Sequence, residues 1–267
     1  MAGYHAAVDY VESGEGNPVL FLPGMEGAKE FWAPQAEALG DRYRAIACSL
    51  PVRKPRLSSA IGDYALDVVA LMDSLDLPKA VVVGESFGGM VAQELAIYHP
   101  ERVAGIILCN TMDRLRRGYF GLNMFTLACL VHNLAFLPFL TMEQRKSILR
   151  WVSRHRGFVL DSSPGNDDLI EYIIAYGTAC GAPTYLDRVI AGARLDYIPR
   201  LRDIDVSTLV LRGEEDRLVA AETILSLVGG IPHAELALIE GGGHCCTHTV
   251  TDASSRAILE WLEHIGY

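Results

Sequence analysis

Ala80-Val81-Val82-Val83-Gly84-Glu85-Ser86-Phe87-Gly88-Gly89-Met90 passes from an unbroken apolar run into a glycine-serine-glycine turn. A strand buried on both faces reads as continuously apolar, and residues 80–83 do. Glycines two places before and two places after Ser86 fit a sharp strand-to-helix turn, which holds the serine in a strained backbone conformation that only small neighbours tolerate. Helical spacing begins at Met90 and runs to Tyr98. The hydroxyl then projects from the carboxyl end of a strand, where open α/β sheets place their ligands. The helix start beneath it favours developing negative charge.

Outward from that turn, residues 19–22, 43–48 and 103–109 read as strands, and residues 30–39 and 64–75 have helical spacing. Such alternation implies a mostly parallel sheet covered by helices on both faces. Residues 5–11 alternate weakly and suit an antiparallel edge strand, with the turn 13–17 after them. Beyond Thr111 the pattern becomes helical, and strand signals return only at 208–211 and 235–239 before a closing helix over 253–264. The expected organisation is a core of residues 1–111 and 199–267 with a helical cap over 112–198.

The bulk numbers set limits. A chain of 267 residues, 50% hydrophobic, suffices for one large core and a modest insertion. Its formal charge of −10 argues against a nucleic-acid partner, which needs a basic face. Residues 1–16 carry no Lys or Arg, unlike a signal peptide, and six cysteines in this length make no disulfide framework, so a cytoplasmic setting is expected. Residues 118–142 lack Asp, Glu, Lys and Arg, but Asn123, His132, Asn133 and Pro138 interrupt them; two short apolar helices are expected there, not a membrane span.

A serine hydroxyl needs a base to take its proton, and the base needs an acid to orient it. The acid belongs after a later strand, where residues 208–211 lead into Arg212-Gly213-Glu214-Glu215-Asp216. Asp216 is the choice because the loop must first clear the strand end; Glu215 is the alternative, and Glu214 suits a solvated turn. The base belongs after the last strand, in Glu240-Gly241-Gly242-Gly243-His244. His244 is chosen over His248 because three glycines let its loop bring the ring over Ser86. The run His244-Cys245-Cys246-Thr247-His248 has metal-ligand types, but no second Cys or His pair at zinc-finger spacing accompanies it, so neither metal nor cofactor is expected.

With these motifs in order, the chain resembles the α/β-hydrolase family in its capped, esterase-like branch. The resemblance runs through Phe21-Leu22-Pro23-Gly24-Met25, residues 43–51, the Gly84 turn, the Asp216 turn and the Gly243-His244 loop. It implies an oxyanion hole built from the backbone N–H groups of Met25 and Phe87. Pro23-Gly24 stands where the family usually has His-Gly, and Ser49-Leu50-Pro51-Val52-Arg53-Lys54-Pro55-Arg56 replaces its usual glycine-rich loop. The basic residues of that loop read as solvated, with an anionic substrate group as the alternative.

The expectation is hydrolysis of a carboxylic ester of a small to medium, largely apolar molecule through an acyl-enzyme, with Phe120, Met124 and Phe125 lining the substrate pocket. Thioester cleavage, carbon–carbon bond hydrolysis and acyl transfer use the same three side chains, and a non-catalytic ligand receptor shares the fold. The partner is a small molecule. An aspartate nucleophile, as in dehalogenases and epoxide hydrolases of the family, is not what Ser86 offers.

Overall fold

The structure is a computed structural model and describes residues 8–114, 139–141, 143–144, 147–148, 151, 161, 166–177 and 181–267. Seven strands form one sheet in the order β1-β3-β2-β4-β5-β6-β7: β1 (Tyr10–Ser13), β2 (Asn17–Leu22), β3 (Tyr43–Cys48), β4 (Ala80–Glu85), β5 (Val103–Cys109), β6 (Thr208–Gly213) and β7 (Ala234–Ile239). All neighbours pair in parallel except β1, which runs antiparallel to β3 at the edge. The described edge strand shares Tyr10 and Val11 with the expected 5–11, runs on to Ser13 and is exposed along its length, and residues 5–7 lie outside the described residues.

Period-2 alternation loads both faces of the sheet. Leu20, Leu22, Ile46, Val82, Ile106, Leu108 and Val210 face α2 (Ile61–Ser74) and α3 (Phe87–Tyr98). Val19, Phe21, Ala45, Val83, Ile107 and Leu211 face the other layer, with Trp32, α1 (Ala33–Leu39) and Trp261 and Leu262 of the closing helix. Each of these strand residues is buried, which is why the sequence shows continuous apolar runs there.

One helix starts earlier than apolar spacing alone suggests, because a carboxylate sets its end. The Asp63 carboxylate accepts the Ala60 N–H at 3.2 Å, so α2 begins at Ile61 and not at Tyr64. Ahead of α1, residues Lys29–Trp32 form a turn of 3-10 helix. Between β5 and β6 the described chain includes α4 (Asn166–Gly177) and α5 (Gly181–Gly192), the latter contributing Tyr185 and Ala191 to the α2–α3 core. Then come α6 (Ala221–Gly230), the short α7 (Cys246–Thr249) and α8 (Thr251–His264). Among the described residues no helix is long and apolar enough to cross a membrane.

Candidate active site

Sterics fix the turn after β4. A Cβ on Gly84 would meet the Gly88 carbonyl oxygen at 2.3 Å, and one on Gly88 would meet the Leu22 carbonyl oxygen at 2.2 Å. Only glycine lets α3 sit this close to the sheet. Ser86, between them, adopts φ +51°, a left-handed conformation unusual for a residue with a Cβ. Its N–H donates to the Cys109 carbonyl at 2.9 Å and its own carbonyl accepts the Thr111 hydroxyl at 2.5 Å, so the end of β5 and the residues just after it hold the strained residue in place.

Three distant side chains meet there. His244 Nε2 lies 3.1 Å from Ser86 Oγ, and His244 Nδ1 lies 3.1 Å from Asp216 Oδ2. The other Asp216 oxygen accepts the backbone N–H groups of Leu218 at 2.8 Å and Val219 at 3.0 Å. All three side chains are buried. Asp216 follows β6 and His244 follows β7, so both reach the carboxyl edge of the sheet that carries Ser86. Burial pulls the His244 imidazole towards neutrality, but the charge and hydrogen bond of Asp216, aided by Glu85 and Glu26, outweigh it and raise the pKa above its ordinary value.

Glu214 is exposed, and Glu215 uses its backbone N–H on the Gly242 carbonyl at 2.8 Å. The His248 ring stands against Tyr172 and Phe31, with centroids 4.7 and 6.0 Å away. Among the described residues no three His, Cys, Asp or Glu side chains converge as metal ligands.

The loop after β2 runs beside the nucleophile: a Cβ on Gly24 would lie 3.6 Å from the Ser86 Cβ. Met25, the next residue on that loop, and Phe87, the first residue of α3, are both buried. The arrangement offers a hydroxyl, a proton acceptor and a carboxylate in one hydrogen-bonded line. Phe120, Met124 and Phe125 lie outside the described residues, as does most of the apolar segment 118–142.

A family model of the alpha/beta hydrolase fold matches residues 17–247. The chain belongs to the alpha/beta hydrolase fold family. It is 29% identical over 255 residues to a Serratia proteamaculans protein named "Putative carbamate hydrolase RutD", covering 92% of this chain and 91% of that one. An esterase from Exiguobacterium antarcticum superposes with a TM-score of 0.79 at 18% identity, over 96% of this chain and 95% of that one. A thermophilic esterase from Thermogutta terrifontis gives a TM-score of 0.76 at 24% identity, over 97% and 93%. At these identities the structures speak for the fold.

Several residues of this alpha/beta hydrolase that build the site carry no sequence signal. Glu85 is 6% exposed, and its carboxylate accepts the Thr247 hydroxyl at 2.6 Å, joining the nucleophile's strand to the segment after His244. Burial pushes the Glu85 carboxyl up to about 7, against the Thr247 hydrogen bond and the His244 charge, which pull it down. Asp161 accepts the Gly243 N–H at 2.7 Å and the Thr249 hydroxyl at 2.6 Å, fastening the same segment from its other side. Asn110, with φ +44°, accepts the Gly213 N–H at 2.9 Å and donates to Cys246 Sγ at 3.1 Å.

The basic loop differs from its solvated reading at one residue. Arg53 is half-buried, pairs with Asp67, donates to the Asp63 carbonyl at 3.0 Å and lies 5.1 Å from the Tyr64 ring centroid. Its charge is spent inside the fold. Arg56, 3.2 Å from Asp63, and Lys54 are exposed as expected.

Proposed function

We propose that this alpha/beta hydrolase is a serine hydrolase that cleaves carboxylic esters through an acyl-enzyme. The observation that carries the reading is the hydrogen-bonded line from Ser86 through His244 to Asp216, buried at the edge of the sheet. Ser86 Oγ attacks the carbonyl carbon while its proton moves to His244 Nε2. Asp216 holds the imidazole with Nε2 free to accept and stabilises the imidazolium that forms. The N–H groups of Met25 and Phe87 hold the oxyanion, and His244 returns the proton to the departing alkoxide. Water then attacks the acyl-serine by the same route, releasing the acid. The apolar composition of residues 118–142 supports a largely apolar substrate bound under a cap.

The name of the Serratia relative and the two esterase structures set the range of substrates to test. Carbamates and esters both present a carbonyl with a heteroatom leaving group, so the same three side chains serve either. A panel of p-nitrophenyl esters, an aryl carbamate, an acyl thioester and a vinylogous diketone separates the chemistries by kcat/KM, with the ester expected first. Ser86→Ala should lower kcat by roughly a million-fold while the protein stays folded. Turnover unchanged in that variant would overturn the nucleophile, and tight ligand binding without turnover by the parent would make the protein a receptor.

A further inference from the structure

Arg188 is fully buried, and its guanidinium has no carboxylate at ion-pair distance among the described residues. It sits on α5, in the segment between β5 and β6, and reaches down to the loop that passes Ser86. Nη1 donates to the Met25 carbonyl at 2.5 Å. Nη2 donates to the carbonyls of Leu50 at 3.1 Å and Pro51 at 3.4 Å. Nε is buried without a partner.

Burying an unpaired cation is costly, and carbonyl dipoles offset only part of the loss. An aliphatic side chain would anchor α5 more cheaply. Anchoring is in any case supplied by its neighbours on the same helix face. Thr184 exchanges hydrogen bonds with the Arg53 backbone at 3.2 and 2.9 Å, and Asp187 accepts the Tyr64 hydroxyl at 2.7 Å, the Arg56 N–H at 3.2 Å and the Ser59 hydroxyl.

The oxyanion-side loop is shaped around this cation. Gly27 donates to the Gly24 carbonyl at 3.0 Å, closing a tight turn with Met25 at its second position, and the Gly27 carbonyl accepts the Leu50 N–H at 2.8 Å. Gly27 has φ +71°, and a Cβ there would meet the guanidinium at 2.3 Å. Glycine is required both by the turn and by the arginine that fills it.

We propose that Arg188 is a positioning residue for the oxyanion hole: by gripping the Met25 carbonyl it fixes the turn whose Met25 N–H faces the reacting carbonyl. The inference rests on the serine-hydrolase reading and on Met25 as a donor. A second consequence follows from charge. A cation held behind the hole in a dry environment favours the oxyanion over the neutral carbonyl, so its effect falls on the transition state and not on substrate binding.

The test uses the full chain, a p-nitrophenyl ester and a trifluoromethyl ketone that mimics the tetrahedral adduct, with rates normalised to sites titrated by a fluorophosphonate. Arg188→Met and Arg188→Lys should lower kcat per titrated site by about 10- to 300-fold, bounded by the roughly 100- to 1,000-fold loss of a whole donor. KM should stay within about threefold, and the ketone's Ki should rise in step with the fall in kcat/KM. Lysine keeps the charge but lacks the planar fork whose two nitrogens reach the Met25 carbonyl and the Leu50 and Pro51 carbonyls separately, so it also gives a reading if the methionine variant fails to fold. Gly27→Ala, which pushes the guanidinium aside without removing it, should show the same split. A folded Arg188 variant with parental kcat per site, or with the whole loss in KM, overturns the assignment. Ser86→Ala run alongside separates the levels: turnover persisting there sinks the serine mechanism, whereas an inactive Ser86→Ala beside a fully active Arg188→Lys sinks only the role of the arginine.

Discussion

In the proposed mechanism His244 must be neutral when Ser86 gives up its proton and charged a moment later. The Asp216 charge raises its pKa above the ordinary imidazole value of 6.5 although burial works the other way. The acid limb of kcat/KM should therefore fall above pH 6.5. Asp216→Asn removes both the charge and the correct hydrogen-bond polarity, leaving burial as the dominant influence. The limb should then move to lower pH, and kcat should drop by about ten thousand-fold because the wrong tautomer is held. A pH–rate profile of each protein checks this, and a limb that stays put in the variant would remove Asp216 from its role. That these three side chains meet was legible from sequence because each occupies a place that chain order prescribes: glycine-flanked turn, loop after β6, loop after β7. Arg188 and Glu85 were not, because their importance lies in which carbonyl or hydroxyl the fold brings to them, and spacing along a chain does not encode that.

Elements show the same division. β2, β4, β5 and β6 were readable as apolar runs, since parallel strands with both faces covered have no polar positions to break the signal. α6 was not, because Ile224-Leu225-Ser226-Leu227-Val228 is apolar on its exposed side as well (Leu225 is 68% exposed) and ends in two glycines that look like loop. Glycines inside helices make a paired test of the packing argument. Gly88 in α3 has backbone 2.2 Å from where a Cβ would go, whereas Gly229 in α6 has nothing within 4 Å. Gly88→Ala must push α3 away from β2 and should cost a few kcal/mol of stability. Gly229→Ala should instead gain up to about 1 kcal/mol from helix propensity. Urea unfolding of both variants measures the contrast; equal midpoints would mean that α3 is not seated as tightly as its glycines indicate.

Across the whole molecule, the site loads the fold with buried charge: Glu85, Asp216, His244 and Arg188 are each under a tenth exposed. The sign of the stability change with pH follows from two of them. Glu85 is raised from 4.5 to about 7, so between those values the folded protein holds a proton that the unfolded chain has released, and stability falls as pH rises. His244 is raised as well, so its contribution is present at low pH and lost as pH climbs through its folded value. Both act in one direction, so the share of the thermal midpoint that these two groups control should decline from about pH 5 to pH 8. Glu85→Gln keeps an acceptor for Thr247 while removing the ionisation. It should flatten that decline, leaving the variant more stable than the parent at pH 8 by an amount on the order of 1–3 kcal/mol and little changed at pH 5. Losing the Glu85 charge also lowers the His244 pKa, so the acid limb of kcat/KM should shift down together with the gain in stability. Melting curves across that range and the pH–rate profile read the two effects separately. A parallel offset of the melting curves at every pH would mean that Glu85 acts through packing alone, because only an ionising carboxylate ties the stability difference to pH.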